Sequence, residues 1–278
     1  MSTLHIFTNA FNTHSCLNNP PKLFNWTFNT YPKNKEPIVY FDEAIFRYMN
    51  DGYGGPKYGW LGESTEIIAP LIMGITSNKD ILKLKYKKIF TNDKRIIDID
   101  PNFFQYNPPA SNMPWIKEPK IYEKNKLCSY ITSFKQFTSG HIKRMELFEK
   151  LKNNPNFKDH IFGRDYKFIP DKLDGLKDYM FSIVIENSVY PKYYTEKITD
   201  CFATGTVPIY YGDTSIGEDF DLNGIIFIEN LESLDLLNFD LYYSLMPAIQ
   251  NNFDRVSKLK TADDCLYESV KNDSIKYT

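Results

Sequence analysis

Residues 181–213 read FSIVIENSVYPKYYTEKITDCFATGTVPIYYGD, and this stretch decides the fold. Phe181 to Ile185 form a short apolar run that stops at Glu186 and Asn187, the pattern of a buried strand ending in polar groups. After a loop carrying Pro191, the residues from Tyr193 to Lys197 open a helix in which Ile198, Cys201 and Phe202 share one face at i, i+3 and i+4. Gly205 stops that helix, Val207 to Tyr211 make a second apolar strand, and Gly212-Asp213 turns the chain again. The unit is strand, loop, helix, strand, with polar residues collected where the first strand hands over to the helix. In open α/β sheets that edge binds ligands.

Working outward, 278 residues can hold two modest α/β domains or one large one and bury a sizeable core. A composition of 42% hydrophobic and 24% charged residues is globular rather than disordered. The 21 Phe and 20 Tyr suit aromatic-lined sugar and base pockets, but they are spread along the chain, as an AT-rich coding sequence also produces. A net charge of −2 provides no global field for nucleic acid or an anionic membrane. There is also no basic face interleaved with aromatics and no Walker-type phosphate loop, which disfavours nucleic-acid binding and leaves kinase or ATPase chemistry without support. Cys16, Cys128, Cys201 and Cys265 are widely spaced and predict buried thiols rather than disulfides or a metal site. No transmembrane run and no basic-then-apolar signal region is present, so the expectation is a soluble, cytoplasmic protein.

In the N-terminal half, Leu4 to Thr8 and Pro37 to Phe41 predict strands, separated by residues 12–36, which lack a period and read as a loop with one short element at most. Asp42 caps a helix through Met49, and Asp51-Gly-Tyr-Gly-Gly-Pro56 breaks the chain. Tyr58 begins a third strand that runs into a helix starting near Ser64, which places Glu63 at the strand's C-terminal end. Glu63 has two readings, an exposed acid favoured by the helix dipole and a general base in a cleft. Glu66 is the competing carboxylate, with Asp42 and Glu43 as weaker rivals. Lys85 to Asn92 predict another strand, with Ile96 to Ile99 pairing nearby. Residues 101–120 hold five prolines and read either as the connection to a second domain or as a loop offering Tyr106, Asn112 and Trp115 to a sugar.

In the C-terminal half, Leu127 to Thr132 predict a strand, followed by a polar loop and a helix from about His141 to Lys152. Arg144 in its first turns, after a glycine-containing loop with Ser133 and Lys135, suits a diphosphate or an ordinary surface position. His141 reads as a structural helix-start residue or as a ligand contact. Lys158 to Gly163 and Gly224 to Ile228 predict further strands, and helical segments close the chain.

The ordered set Glu186-Asn187, Tyr194-Thr-Glu-Lys-Ile198 and Gly205-Thr-Val-Pro-Ile-Tyr-Tyr-Gly212 resembles the α1,3-fucosyltransferases, glycosyltransferase family 10. The resemblance is tight over residues 127–215, loose over 58–120 and absent before that. It implies an α/β fold of two Rossmann-like domains facing across a cleft (GT-B). The N-terminal, acceptor-side domain is abbreviated at residues 1–120, and a donor-binding domain takes 121–278. It implies an inverting transfer of fucose from GDP-fucose to a saccharide acceptor, with no cofactor required. By position, Arg144, Asn187, Tyr193, Glu196 and Lys197 look like the family's donor-binding residues. Gly62-Glu63 looks like its Gly-Glu pair with the catalytic base.

The chemistry fits those residue types. A leaving diphosphate needs positive charge, which Arg144, Lys197 and the helix N-terminus supply. Asn187, Tyr193 and Glu196 offer partners for ribose, base and sugar hydroxyls. Two rival readings keep the fold: another nucleotide-sugar donor, or a non-catalytic glycan-binding protein. Asp213 and the acidic run Glu218 to Asp221 leave room for stimulation by a divalent cation.

Overall fold

Alternating strand and helix patterns build two parallel sheets in the computed structural model, which describes residues 2–228 and 231–275. The chain divides into two units, one holding the described residues up to Asn112 and from Lys260 onward, the other holding Met113–Leu259.

In the first unit six strands lie in the order β2-β1-β3-β4-β5-β6. They are β1 (Ser2–Phe7), β2 (Phe24–Phe28), β3 (Ile38–Phe41), β4 (Lys57–Leu61), β5 (Lys88–Thr91) and β6 (Phe104–Tyr106). Helices α1 (Ala44–Arg47), α2 (Ala69–Ser77), α3 (Lys79–Lys83) and α4 (Lys94–Ile97) follow their strands. Because strand side chains alternate, Ile38 and Tyr40 join a core with Ile75, Leu82 and Ile96 of the helices, while Val39 and Phe41 face the opposite side with Trp60 and Phe90.

Residues 12–36 hold one short element, β2, whose alternating Phe24 and Trp26 are buried while Asn25 is exposed. Two expectations for this unit change. Ile96 to Ile99 do not pair as a strand, because the Asp93 carboxylate accepts from the backbone N–H of Arg95 and starts α4. The pairing strand is β6, inside the segment read as a connection. The helix after β4 begins at Ala69, not near Ser64, since residues 64–68 first make a turn in which Ile67 and Ile68 bond back to Ser64.

In the second unit the order is β11-β10-β9-β7-β8, formed by β7 (Lys126–Ile131), β8 (Ile161–Phe162), β9 (Tyr179–Ile185), β10 (Val207–Tyr211) and β11 (Ile226–Phe227). Helix α5 (Ser139–Leu151) connects β7 to β8, and α6 (Glu196–Thr204) connects β9 to β10; α7 (Phe239–Ser244) and α8 (Met246–Val256) follow. Every residue of β9 is buried, because helices cover both faces of the parallel sheet. Ile183, Ile185 and Ile209 pack towards Leu147, Phe148 and Leu151 of α5, whereas Val184 and Tyr210 pack towards Ile198 and Phe202 of α6. The chain leaves β7 for one edge of the sheet and returns to its other side at β9. The crevice at their C-terminal ends is therefore the topological switch point of this sheet.

The expected division into 1–120 and 121–278 differs from the structure at both ends. Residues from Met113 belong with the second unit, and α9 (Ala262–Ile275) belongs with the first. The physical reason lies in the exposed face of the first sheet, which α9 covers with Ala262, Leu266 and Val270, spaced four apart. Asn112 pins this return: its amide donates to the Lys260 carbonyl at 2.9 Å and accepts from the Ala262 N–H at 3.1 Å.

Candidate functional site

At the switch point of the second unit, α5 and the end of β9 approach so closely that only glycine fits between them. A Cβ on Gly140 would fall 1.8 Å from the Glu186 carbonyl oxygen and 2.6 Å from that of Asn187. The Gly140 N–H instead donates to the Asn187 carbonyl at 3.0 Å. Thr138 caps α5 by accepting from the His141 N–H at 3.3 Å, and its hydroxyl also meets His141 Nδ1 at 2.8 Å. His141 is buried by this arrangement, in keeping with its structural reading.

One turn further, Arg144 reaches back to the strand end. Its Nε donates to the Ile185 carbonyl at 2.9 Å, and its Nη2 donates to Ile185 O and, at 2.7 Å, to Asn187 Oδ1. The Tyr130 hydroxyl donates to the Arg144 carbonyl at 2.9 Å. Arg144 is buried, and burial pulls its pKa below the usual guanidinium value while the charge of Glu186 opposes that shift. The arginine expected to meet a diphosphate is thus also the clamp of the β9 end. Asn187 is half-buried beside it.

Glu186 is fully buried. One carboxylate oxygen accepts from the Thr195 N–H at 2.9 Å and the other from the Thr195 hydroxyl at 2.8 Å. Thr195 is the N-cap of α6, so the end of β9 is tied to the start of the next helix. Lys197 lies in the first turn with its Nζ 2.9 Å from Thr195 Oγ1, 3.4 Å from Glu186 Oε2 and 3.5 Å from Glu196 Oε1. Glu196 is buried, and the Lys197 side chain keeps 22% exposure. Tyr193 is buried against Tyr190, their rings 4.6 Å apart. Helix α6 ends as expected at Gly205, whose φ of 70° is the left-handed conformation glycine adopts without strain. Arg144, Asn187, Tyr193, Glu196 and Lys197 therefore gather at the strand–helix edge of this unit.

Glu186 and Thr195 were not singled out from the sequence as site residues. The available signal was a glutamate closing a wholly apolar strand, since a buried carboxylate requires built-in donors.

In the first unit, Glu63 is exposed just past the end of β4. The glycine before it has no room for a side chain: a Cβ on Gly62 would lie 2.4 Å from the Phe41 ring and 2.9 Å from Ala110 Cβ. Asp42, at the end of the neighbouring β3, is buried, has a left-handed φ of 46° and accepts from the Gly62 N–H at 3.1 Å. Burial pushes its pKa well up, the Glu63 charge adds to this, and the backbone N–H groups of residues 62 and 63 oppose it. Glu66, the competing carboxylate, lines a cleft of about 360 Å³ between α2 and α4 together with Thr65, Met73, Asp93 and Arg95.

The loop residues considered for a sugar separate. Asn112 is consumed by the α9 contact. The backbone N–H of Trp115 donates to Asp200, a buried carboxylate of α6 that also pairs with Lys172 at 2.5 Å. Asp213 and Asp221 accept from the N–H groups of Ser215 and Asn223, closing turns. Among the described residues no group of three or more His, Cys, Asp and Glu is placed to hold a metal ion. Cys16, Cys128 and Cys201 are buried thiols, and no described helix is long and apolar enough to cross a membrane.

Residues 121–237, which contain this edge, match the family model Glycosyltransferase family 10 (fucosyltransferase) C-term. The likeness to family 10 is carried by this segment. The alpha-(1,3)-fucosyltransferase FucT of Helicobacter pylori is 31% identical over 67 residues, which are 24% of this chain and 14% of that protein. Alpha-(1,3)-fucosyltransferase B of Drosophila melanogaster is 35% identical over 68 residues, 24% of this chain and 15% of that protein. The chain thus matches only a small part of the length of these relatives. A crystal structure of an α1,3-fucosyltransferase with GDP has a TM-score of 0.52 at 12% identity, covering 98% of this chain and 89% of that one. That is a likeness of fold, and it reaches beyond the matched segment into the N-terminal unit. The α/β architecture with two parallel, Rossmann-like sheets is that of the GT-B fucosyltransferases.

Proposed function

We propose that this chain is an inverting glycosyltransferase that moves fucose from GDP-fucose to a hydroxyl of a glycan acceptor. The observation that carries the proposal is the placement of Arg144 and Lys197 together at the β7–β9 switch point, within the segment that matches the fucosyltransferase family model. In this reading the diphosphate meets Lys197, the outer side of the Arg144 guanidinium and the amides that open α6. Asn187, Tyr193 and Glu196 hold the nucleoside and sugar hydroxyls. A protein of like fold having been crystallised with GDP supports the nucleotide.

Glu63 takes the proton of the acceptor hydroxyl. The acceptor oxygen attacks the anomeric carbon as the bond to the diphosphate breaks, and GDP leaves with that electron pair. Positive charge placed where negative charge develops on the leaving group lowers the barrier. Exposure of Glu63 at a strand end supports its role as base, since the group must reach a substrate proton.

Calorimetric titration with GDP, GDP-fucose, GDP-mannose, UDP and UDP-glucose tests the proposal. Selective binding of guanine nucleotides, followed by fucose transfer in an acceptor screen, is the expected result. Selective UDP binding overturns the fucosyl assignment, and binding of none returns the chain to the non-catalytic reading.

A further inference from the structure

We propose that Glu186, Thr195 and Lys197 form a hydrogen-bond relay in which the buried carboxylate, acting through the threonine hydroxyl, aims the lysine ammonium at the donor diphosphate. The inference rests on the donor-site reading above and assigns Glu186 as a positioning residue. Fully buried, it has no surface to offer a ligand.

A hydroxyl has one hydrogen and two lone pairs. Thr195 Oγ1 gives its hydrogen to Glu186 Oε2 at 2.8 Å, a carboxylate that can only accept. Both lone pairs of Oγ1 are then turned towards Lys197, whose Nζ stands at 2.9 Å and whose backbone nitrogen stands at 3.4 Å. The direct Nζ to Glu186 distance is longer, 3.4 Å, so the hydroxyl is the nearer hold on the ammonium. The other Glu186 oxygen fixes the Thr195 N–H at 2.9 Å, which prevents the cap from rotating away.

A lysine beside the positive end of a helix is electrostatically misplaced unless a negative group holds it there. Glu186 and Glu196 supply that charge from either side while the Lys197 side chain stays partly exposed. The relay therefore stores the cation in an oriented state, and an arriving diphosphate need not pay the rotamer entropy of a loose lysine.

The test is GDP affinity by calorimetry across a mutant cycle. In Glu186→Gln the single amide oxygen is claimed by the Thr195 N–H, so the amide NH2 faces Oγ1 and reverses the hydroxyl, whose hydrogen then points at Lys197. Thr195→Val deletes the hydroxyl, and Thr195→Ser keeps it. Glu186→Gln and Thr195→Val are expected to weaken GDP binding roughly tenfold or more, the scale of a hydrogen bond to a charged group, with Thr195→Ser close to the parent. In a Lys197→Ala background the same two substitutions are expected to change affinity by less than about twofold, because the relay has lost its output.

An equal cost with and without Lys197 overturns the relay, showing that Glu186 supports only the fold. Unchanged affinity in both single variants also overturns it. If Glu186→Gln does not fold, the Thr195→Val and Thr195→Ser pair decides by the same cycle. A folded parent protein that does not bind GDP overturns the donor-site reading itself, and the relay with it.

Discussion

The two sheets end their strands in opposite ways. At the end of β9 Glu186 and Arg144 are buried and engaged, Glu186 with Thr195 and the partly exposed Lys197, Arg144 with Ile185 and Asn187. At the end of β4 the carboxylate of interest, Glu63, is exposed, and the buried acid beside it, Asp42, holds backbone rather than a cation. Both edges are C-terminal ends of parallel strands, where ligands are received. The first arrangement suits a group that must hold a charged ligand in one geometry, because its donors are oriented before the ligand arrives. The second suits a group that must exchange a proton, which a fully buried carboxylate does poorly.

The largest expected effect breaks the comparison at its exposed end. Glu63→Gln should reduce fucose transfer by roughly a hundredfold or more, the scale of a lost general base, while GDP affinity in the calorimeter stays unchanged. Full transfer activity in that variant would move the base to Glu66. At the buried end, Lys197→Ala should cost ~1.5–3 kcal/mol of GDP binding, as for a hydrogen bond to a charged group, with little change in melting temperature. Arg144→Ala should lose binding and thermal stability together, because the Ile185 carbonyl loses its donor. A melting temperature unaltered by Arg144→Ala would show that the clamp is not structural.

The glycines sharpen the contrast. Gly140→Ala meets backbone carbonyls and should destabilise the protein by ~1–3 kcal/mol in urea unfolding, the range for overpacking. Gly62→Ala meets the Phe41 ring and the Ala110 methyl, side chains that can shift, and should cost less. The reverse order would mean that the α5 approach is loose.

The smallest effect is a pH slope. The native pKa of Asp42 lies above the unfolded value of about 3.9, so the native state binds the extra proton. That contribution is greatest in acid and is lost as pH rises from about 4 through the raised native value. The parent protein should therefore lose stability between acid and alkaline pH through this group, and Asp42→Asn, which keeps an acceptor for the Gly62 N–H and tolerates a left-handed φ, should flatten the slope. Parallel slopes in the two proteins would remove Asp42 from the balance.

Much of the second unit was legible because its signals are local. A buried strand, a capped helix and a left-handed glycine each announce themselves within a few residues, so β9, α6 and β10 stand close to where their patterns place them. The first unit was harder. The three aromatics of β2 sit among Asn, Pro and Lys, and β6 is only three residues long, too short for any period to show. Ile96 reads as a strand residue until Asp93 is seen to cap the turn before it.

By itself the sequence determined the alternation of strands and helices, the family 10 pattern between Glu186 and Gly212, and which residue types carry charge at the strand ends. Those depend on neighbours in the chain. Only the tertiary structure decided that α9 returns to the first sheet, that Asn112 is spent in fastening it, and that Arg144 holds a carbonyl. It also decided that Glu186 faces Thr195 instead of solvent. The first three rest on partners distant in sequence, and the last joins a strand end to the next helix across a loop. Which buried face lacks a cover, and which polar group lacks a donor, is settled only when the sheets are assembled.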